Sequence, residues 1–172
     1  MKKIIALIIV TIAFFSCDSN SNITSFKIKN PYLADKTIIS ENVSISIFPG
    51  DAGGIEQNVN RWRRQLNLQP QTINEITKQN MNNPFLGEYY LFHEINHVEN
   101  KAIIAAIIPQ SNSTIFIKMN TSSISSYDRK YEFSLFCQSL YFDESSELIW
   151  NAPKNWIEKE PINMSKAFFE IN

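Results

Sequence analysis

The chain is sparing with the residues that carry chemistry and turns: of 172 residues, four are glycine, two cysteine and two histidine. Two histidines exclude a three-histidine zinc site, so any metal centre would need a carboxylate or thiolate as well. Two cysteines permit at most one disulfide, which excludes a disulfide-stapled scaffold. No apolar run approaches the roughly 20 residues of a membrane-spanning helix. Nor does either charge sign dominate: 16 basic residues face 17 acidic ones, a formal net charge of −1. That balance gives no electrostatic case for a nucleic-acid partner.

What is present begins with the opening "MKKIIALIIVTIAFFSC". Two lysines precede an apolar run from Ile4 to Phe15, then Ser16 and Cys17. A basic flank, a short apolar stretch and a small residue make an export signal. A cysteine directly after the small residue resembles the lipobox of bacterial lipoproteins, whose cysteine is acylated and becomes the mature N-terminus. Phe14 departs from that motif, which usually has a leucine or small residue there. The expectation is a signal peptide over 1–16, lipidation of Cys17 and a polar tether over 17–22. Removing Lys2 and Lys3 takes the basic count from 16 to 14 against 17 acidic residues, a mature formal charge of −3.

Residues 23–172 are read as a single domain, long enough for one hydrophobic core. "ITSFKIKN" and "NVSISIF" alternate as strands, the second with Val43, Ile45 and Ile47 on one face. "GIEQNVNRWRRQLNL" places Ile55, Val59, Trp62 and Leu66 on one stripe of an amphipathic helix. The Asn/Gln-rich stretch from Gln69 to Gly87 reads as a long loop holding a short helix over Thr72 to Gln79. "EYYLFHEI", "KAIIAAIIP" and "TIFIKMN" read as a strand meander with turns at "NHVEN" and "QSNS". A helix follows, with Tyr127, Tyr131, Leu135 or Phe136, and Leu140 at helical spacing and Ser125 or Ser126 able to cap it. Cys137 is expected there as a small buried hydrophobe. Residues 143–172 read as a C-terminal hairpin, and its Phe169-Glu-Ile171 echoes Phe26-Lys-Ile28. The whole is an α+β pattern, an antiparallel sheet packed by helices.

Two motifs invite chemistry. "HEINH", His93 to His97, fits the H-E-x-x-H template of zinc peptidases, which needs a helix so that both imidazoles converge while Glu94 serves as base. The flanking residues favour strands, and the further ligand would be an acidic residue such as Glu132. Two turn-proximal surface histidines are the simpler reading. "FPGDAGG" holds three of the four glycines between a strand and a helix. Such a corner can bind an anion through backbone N–H groups. It lacks the lysine of a P-loop, the dinucleotide glycine pattern and a nucleophile, and Asp51 would repel phosphate. A strand-to-helix corner, with Asp51 capping the helix, accounts for the same residues. No cofactor is expected. In "NRWRR", Trp62 lies on the apolar stripe, which argues against a nucleic-acid patch.

"FPGDAGG" followed by "NVNRWRRQL" resembles a family of uncharacterised bacterial lipoproteins and exported proteins in which a P-G-D-A-G-G turn precedes an N-V-N-R-W-R helix. The resemblance covers most of Ile23 to Phe142. It implies the α/β/α sandwich of PsbP, Mog1 and DcrB-like proteins, and a non-enzymatic binding or assembly-accessory role. Arg64 and Asn67 stand where the family helix often has glycines. "WNAPKNW" falls at the C-terminus rather than before the first strand, so the tail is either a permuted hairpin that completes the sheet or a truncated second copy attached loosely. The expected product is a lipoprotein held to a membrane of the bacterial cell envelope through Cys17, with an envelope protein or a small anion as partner. The expected ligand residues are Asp51, Asn58, Arg61 and Arg64. The alternative is a zinc-dependent hydrolase built on His93, Glu94 and His97.

Overall fold

The computed structural model describes residues 40–172. The signal peptide, Cys17, the tether and the strand expected at "ITSFKIKN" lie outside the described residues. The elements are β1 (Asn42–Pro49), α1 (Gly54–Gln65), β2 (Gln79–Asn83), β3 (Gly87–Asn96), β4 (Lys101–Pro109), β5 (Ser113–Thr121), α2 (Ser125–Gln138), β6 (Tyr141–Phe142), β7 (Leu148–Ile149), β8 (Trp156–Lys159) and β9 (Ala167–Ile171). Seven strands form one sheet in the order β2-β3-β4-β5-β1-β9-β8. Every neighbouring pair is antiparallel. The class is α+β.

Strand β4 shows why both faces of this sheet are dry at its centre. "KAIIAAIIP" has no alternation, and its seven interior residues are all buried. A continuous apolar run of this kind needs cover on both sides. Ala102, Ile104, Ala106 and Ile108 face one cluster with Phe133, Phe136 and Cys137 of α2. Ile103, Ala105 and Ile107 face the other, with Val59 and Trp62 of α1. The stripe expected on α1 is therefore the buried one, and Trp62 packs its ring 5.8 Å from Phe92 and 6.5 Å from Phe116. Helix α1 ends in two reversing bonds, Asn67 N–H to the Arg64 carbonyl at 3.1 Å and Leu68 N–H to that of Arg63 at 2.9 Å. Asn67 has φ 55° there, the left-handed value that asparagine tolerates next best after glycine.

Three expectations are corrected. The segment from Thr72 makes one turn only, in which Glu75 accepts bonds from the Thr72 N–H at 2.8 Å and hydroxyl at 2.9 Å. The chain then becomes extended as β2, whose "QNMNN" pairs with β3 despite poor strand propensity. Asn83 anchors it: its amide donates to the Cys137 and Leu140 carbonyls at 2.7 and 2.9 Å and accepts from the Phe85 and Leu86 N–H groups, both at 2.7 Å. On α2 the buried face is Ser126, Phe133, Phe136 and Cys137, whereas Tyr127, Tyr131 and Leu135 are exposed. Neither Ser125 nor Ser126 is the cap; the Ser122 hydroxyl accepts the Ser125 N–H at 3.0 Å.

The tail belongs to the sheet. Strand β9 pairs with β1 over Asn42↔Glu170 to Ile45↔Ala167, and β8 pairs with β9. Trp156 and Phe169 are buried, with rings 4.7 and 5.7 Å from Phe136 of α2. On the opposite face no helix of the described residues covers this half of the sheet. Helix α1 lies over β3, β4 and β5, so β1 and β9 expose Ser44, Ser46 and Phe168 beside it.

Candidate functional site

The glycine corner is a joint whose polar groups are largely spent. Gly50, Gly53 and Gly54 have φ of 61°, 89° and 70°, in the region that disfavours side chains. The Gly50 N–H donates to the Asn112 carbonyl at 3.0 Å and the Gly54 N–H to that of Asp51 at 3.0 Å. The Gly53 N–H donates to Asp51 Oδ1 at 3.1 Å. Three N–H groups that a phosphate would need are already bonded, two inside the turn and one to the β4–β5 connection. Asp51 thus braces the turn, and no side chain caps α1 itself.

Asn58 is fully buried and holds the corner from within, its amide donating to the Ala52 and Gly54 carbonyls at 3.0 and 2.6 Å. Its Oδ1 accepts from Arg61. Of the four expected ligand residues, Asn58 and Arg61 are in contact. Arg61 and Arg64 both border a groove of about 620 Å³ beneath Pro70, but Glu56 lines it too and places a carboxylate among the cations. Asp51 lines none of the grooves described here.

A second groove runs along the open sheet face, on the other side of Arg61. It comprises a cavity of about 170 Å³ walled by Arg61, Trp62 and Gln65 of α1 and by Phe116 and Lys118 of β5. Its continuation, about 230 Å³, passes under the loop that carries Ile162 and Met164. Ser44, Ser46, Phe48 and Lys118 line both parts, and among the described residues no carboxylate lines either. Lys118 sits half-buried, Nζ donating to Gln65 Oε1 at 3.1 Å. Burial, and secondarily the charge of Arg61, pushes its ammonium below the usual lysine range. Among the described residues the site thus has two cations and no anion of its own. Lys118 went unnoticed in the sequence, although a lysine inside "TIFIKMN", on the face that carries Phe116, is a signal: a charge on a strand face otherwise packed by a helix.

The H-E-x-x-H helix is not formed. Residues 87–96 are strand, so His93 and Glu94 point to opposite faces of the sheet. His93 turns toward α2, with Nε2 2.8 Å from the Ser126 hydroxyl and its ring 5.5 Å from that of Tyr127. It is half-buried in mid-strand, which also corrects the expectation of a surface histidine. Glu94 is buried beneath α1, ion-paired with Arg63. His97 is exposed in the β3–β4 turn. Glu132 bonds Arg129 at 3.0 Å on α2. Among the described residues no three histidine, cysteine or acidic side chains are grouped to hold a metal. Cys137 is fully buried, and burial raises its thiol well above the usual value, so it packs as a hydrophobe.

Comparison with models of protein families, with curated proteins and with solved structures finds no match to the chain.

Proposed function

We propose that this protein is a lipid-anchored binding module of the bacterial cell envelope, attached through acylated Cys17, that holds a small anion non-enzymatically. One observation carries the ligand half of this reading. Arg61 and Lys118 border a single groove that no carboxylate of the described residues lines. Lys118 is half-buried with only the neutral Gln65 amide as partner, and an incoming anion relieves the cost of that burial, while exposed Arg61 adds a second positive charge at the rim. The lipobox-like sequence ending at Cys17 supports the anchor. The sheet with α1 on one face and α2 on the other supports a PsbP-like α/β/α sandwich. Separation of His93 from Glu94 across the sheet argues against the hydrolase reading.

The two halves are tested separately. Metabolic labelling with radioactive palmitate is expected to mark the wild-type chain and to fail with Cys17→Ser, which stays in the unprocessed form. For the groove, acetate or inorganic phosphate at low ionic strength is expected to raise the melting temperature. A ligand at a hundred times its dissociation constant adds about 2.7 kcal/mol to stability. Lys118→Met is expected to cut the increase to about half without unfolding the protein. An equal increase in the variant would place anion binding elsewhere.

A further inference from the structure

We propose that the groove recognises an acidic saccharide, a sugar ring bearing a carboxylate, with the carboxylate at Arg61 and Lys118 and the ring on the open face of β1 and β9. This rests on the anion-binding reading above and narrows it to one class of ligand. The register lays out the surface. Ser44 of β1 stands between Lys118 of β5 on one side and Phe168 of β9 on the other. Ser46 lies two residues along the same face, opposite Phe116. Residues at this spacing project to one side of the sheet, roughly 7 Å apart. From the cations outward, the groove therefore passes from charge to hydroxyl to aromatic ring.

Each part fits one feature of a sugar acid better than it fits a bare oxyanion. A sulfate only accepts hydrogen bonds, and a phosphate near neutral pH adds only its P–OH donors, so both call mainly for donors. The hydroxyls of Ser44 and Ser46 can donate and accept, and neither bonds another described residue. Asn120 spends its amide N–H on Asn42 Oδ1 at 2.8 Å, which leaves its own Oδ1 as an acceptor at the groove. A ligand that satisfies both kinds of group must itself carry hydroxyls. Phe48 and Phe168, each half-buried, present ring surface to the same space, where the C–H face of a sugar can pack. Glu170, on the same face of β9 as Phe168, is engaged by Lys159 at 3.4 Å. It leaves Arg61 and Lys118 to the ligand.

The test is isothermal titration of the lipidated full chain in detergent with glucuronate, galacturonate and N-acetylmuramate, beside glucose, acetate and inorganic phosphate. At least one sugar acid is expected to bind about tenfold more tightly than acetate, phosphate or glucose, since it alone uses both halves of the groove. Lys118→Met is expected to weaken that binding about tenfold, as loss of a charged hydrogen bond does, and Ser44→Ala with Ser46→Ala about threefold to tenfold. Arg64→Met, outside this groove, is expected to leave it unchanged. If acetate and phosphate bind as well as every sugar acid and the serine variants have no effect, the saccharide assignment is overturned while anion binding stands. If no anion binds, both fall. Binding that is lost in Arg64→Met but kept in Lys118→Met would move the site to the neighbouring groove and overturn the proposal.

Discussion

His93 shows how one residue's surroundings set a measurable property of the fold. Its imidazole lies against α2, bonded to Ser126, and burial, then the charges of Lys130 and His97, holds its pKa below the ordinary 6.5. The unfolded chain therefore binds a proton at this site more readily than the native chain does. Stability from the neutral ring is fully present above pH 6.5 and is lost as pH falls below it toward the lower native value. Thermal melts between pH 7.5 and about 5 are expected to show a falling midpoint in the wild type and a flatter profile in His93→Gln. A profile unchanged by the substitution would mean that the ring is solvated. The residue scale is also where the sequence was least informative. His93 and His97 matched a metal template by spacing alone, whereas strand or helix decides whether two side chains converge. Asn67 is the converse case: its left-handed φ shows a backbone need that glycine would meet and asparagine tolerates.

Helix α2 shows what periodicity can and cannot choose. Its apolar residues fall on two faces, Tyr127, Tyr131 and Leu135 on one, Phe133, Phe136 and Cys137 on the other. Both sets satisfy helical spacing, so the pattern specifies a helix without saying which side is buried. Packing decides: Phe133 and Phe136 fill the space over β4 and β5, while Tyr131 is 72% exposed. Phe133→Ala or Phe136→Ala is expected to cost ~3–5 kcal/mol in urea unfolding. Tyr131→Gln is expected to fall within about 0.5 kcal/mol of the wild type. The reverse order would restore the face that the spacing of Tyr127 and Tyr131 suggests. By contrast α1 was legible, because arginines, asparagines and glutamines occupy its other faces and leave a single apolar stripe. Strand β2 was not, since "QNMNN" has little strand propensity and is held by backbone pairing to β3 and by the four bonds of Asn83.

At the scale of the whole molecule, the C-terminal residues are part of what makes the sheet close over its core and open over its groove. The sequence offered two arrangements for them, a hairpin that completes the sheet or a loosely attached extra, and local pattern could not choose because pairing with β1 spans more than a hundred residues of chain. In the structure β9 satisfies β1's backbone on the side away from β5, and Trp156 and Phe169 cover the end of α2. The same β9 brings Phe168 to the groove. Truncation after Ile149 would uncover Phe136 and leave β1 as an unpaired edge, so the shortened chain is expected to lose its cooperative melt and to aggregate. Trp156→Ala is a milder form of the same lesion. Its expected cost of ~3–5 kcal/mol lowers the midpoint by roughly 2–4 °C per kcal/mol in a domain of this size. Trp156→Phe keeps one aromatic ring and discards the pyrrole part of the indole, with an N–H that finds no partner among the described residues. It is expected to cost under about 1.5 kcal/mol, because the buried group it removes was unbonded. A truncated chain that melts cooperatively near the full-length midpoint would show the hairpin to be dispensable, and the ring of Phe168 would then need no fixed place in ligand recognition.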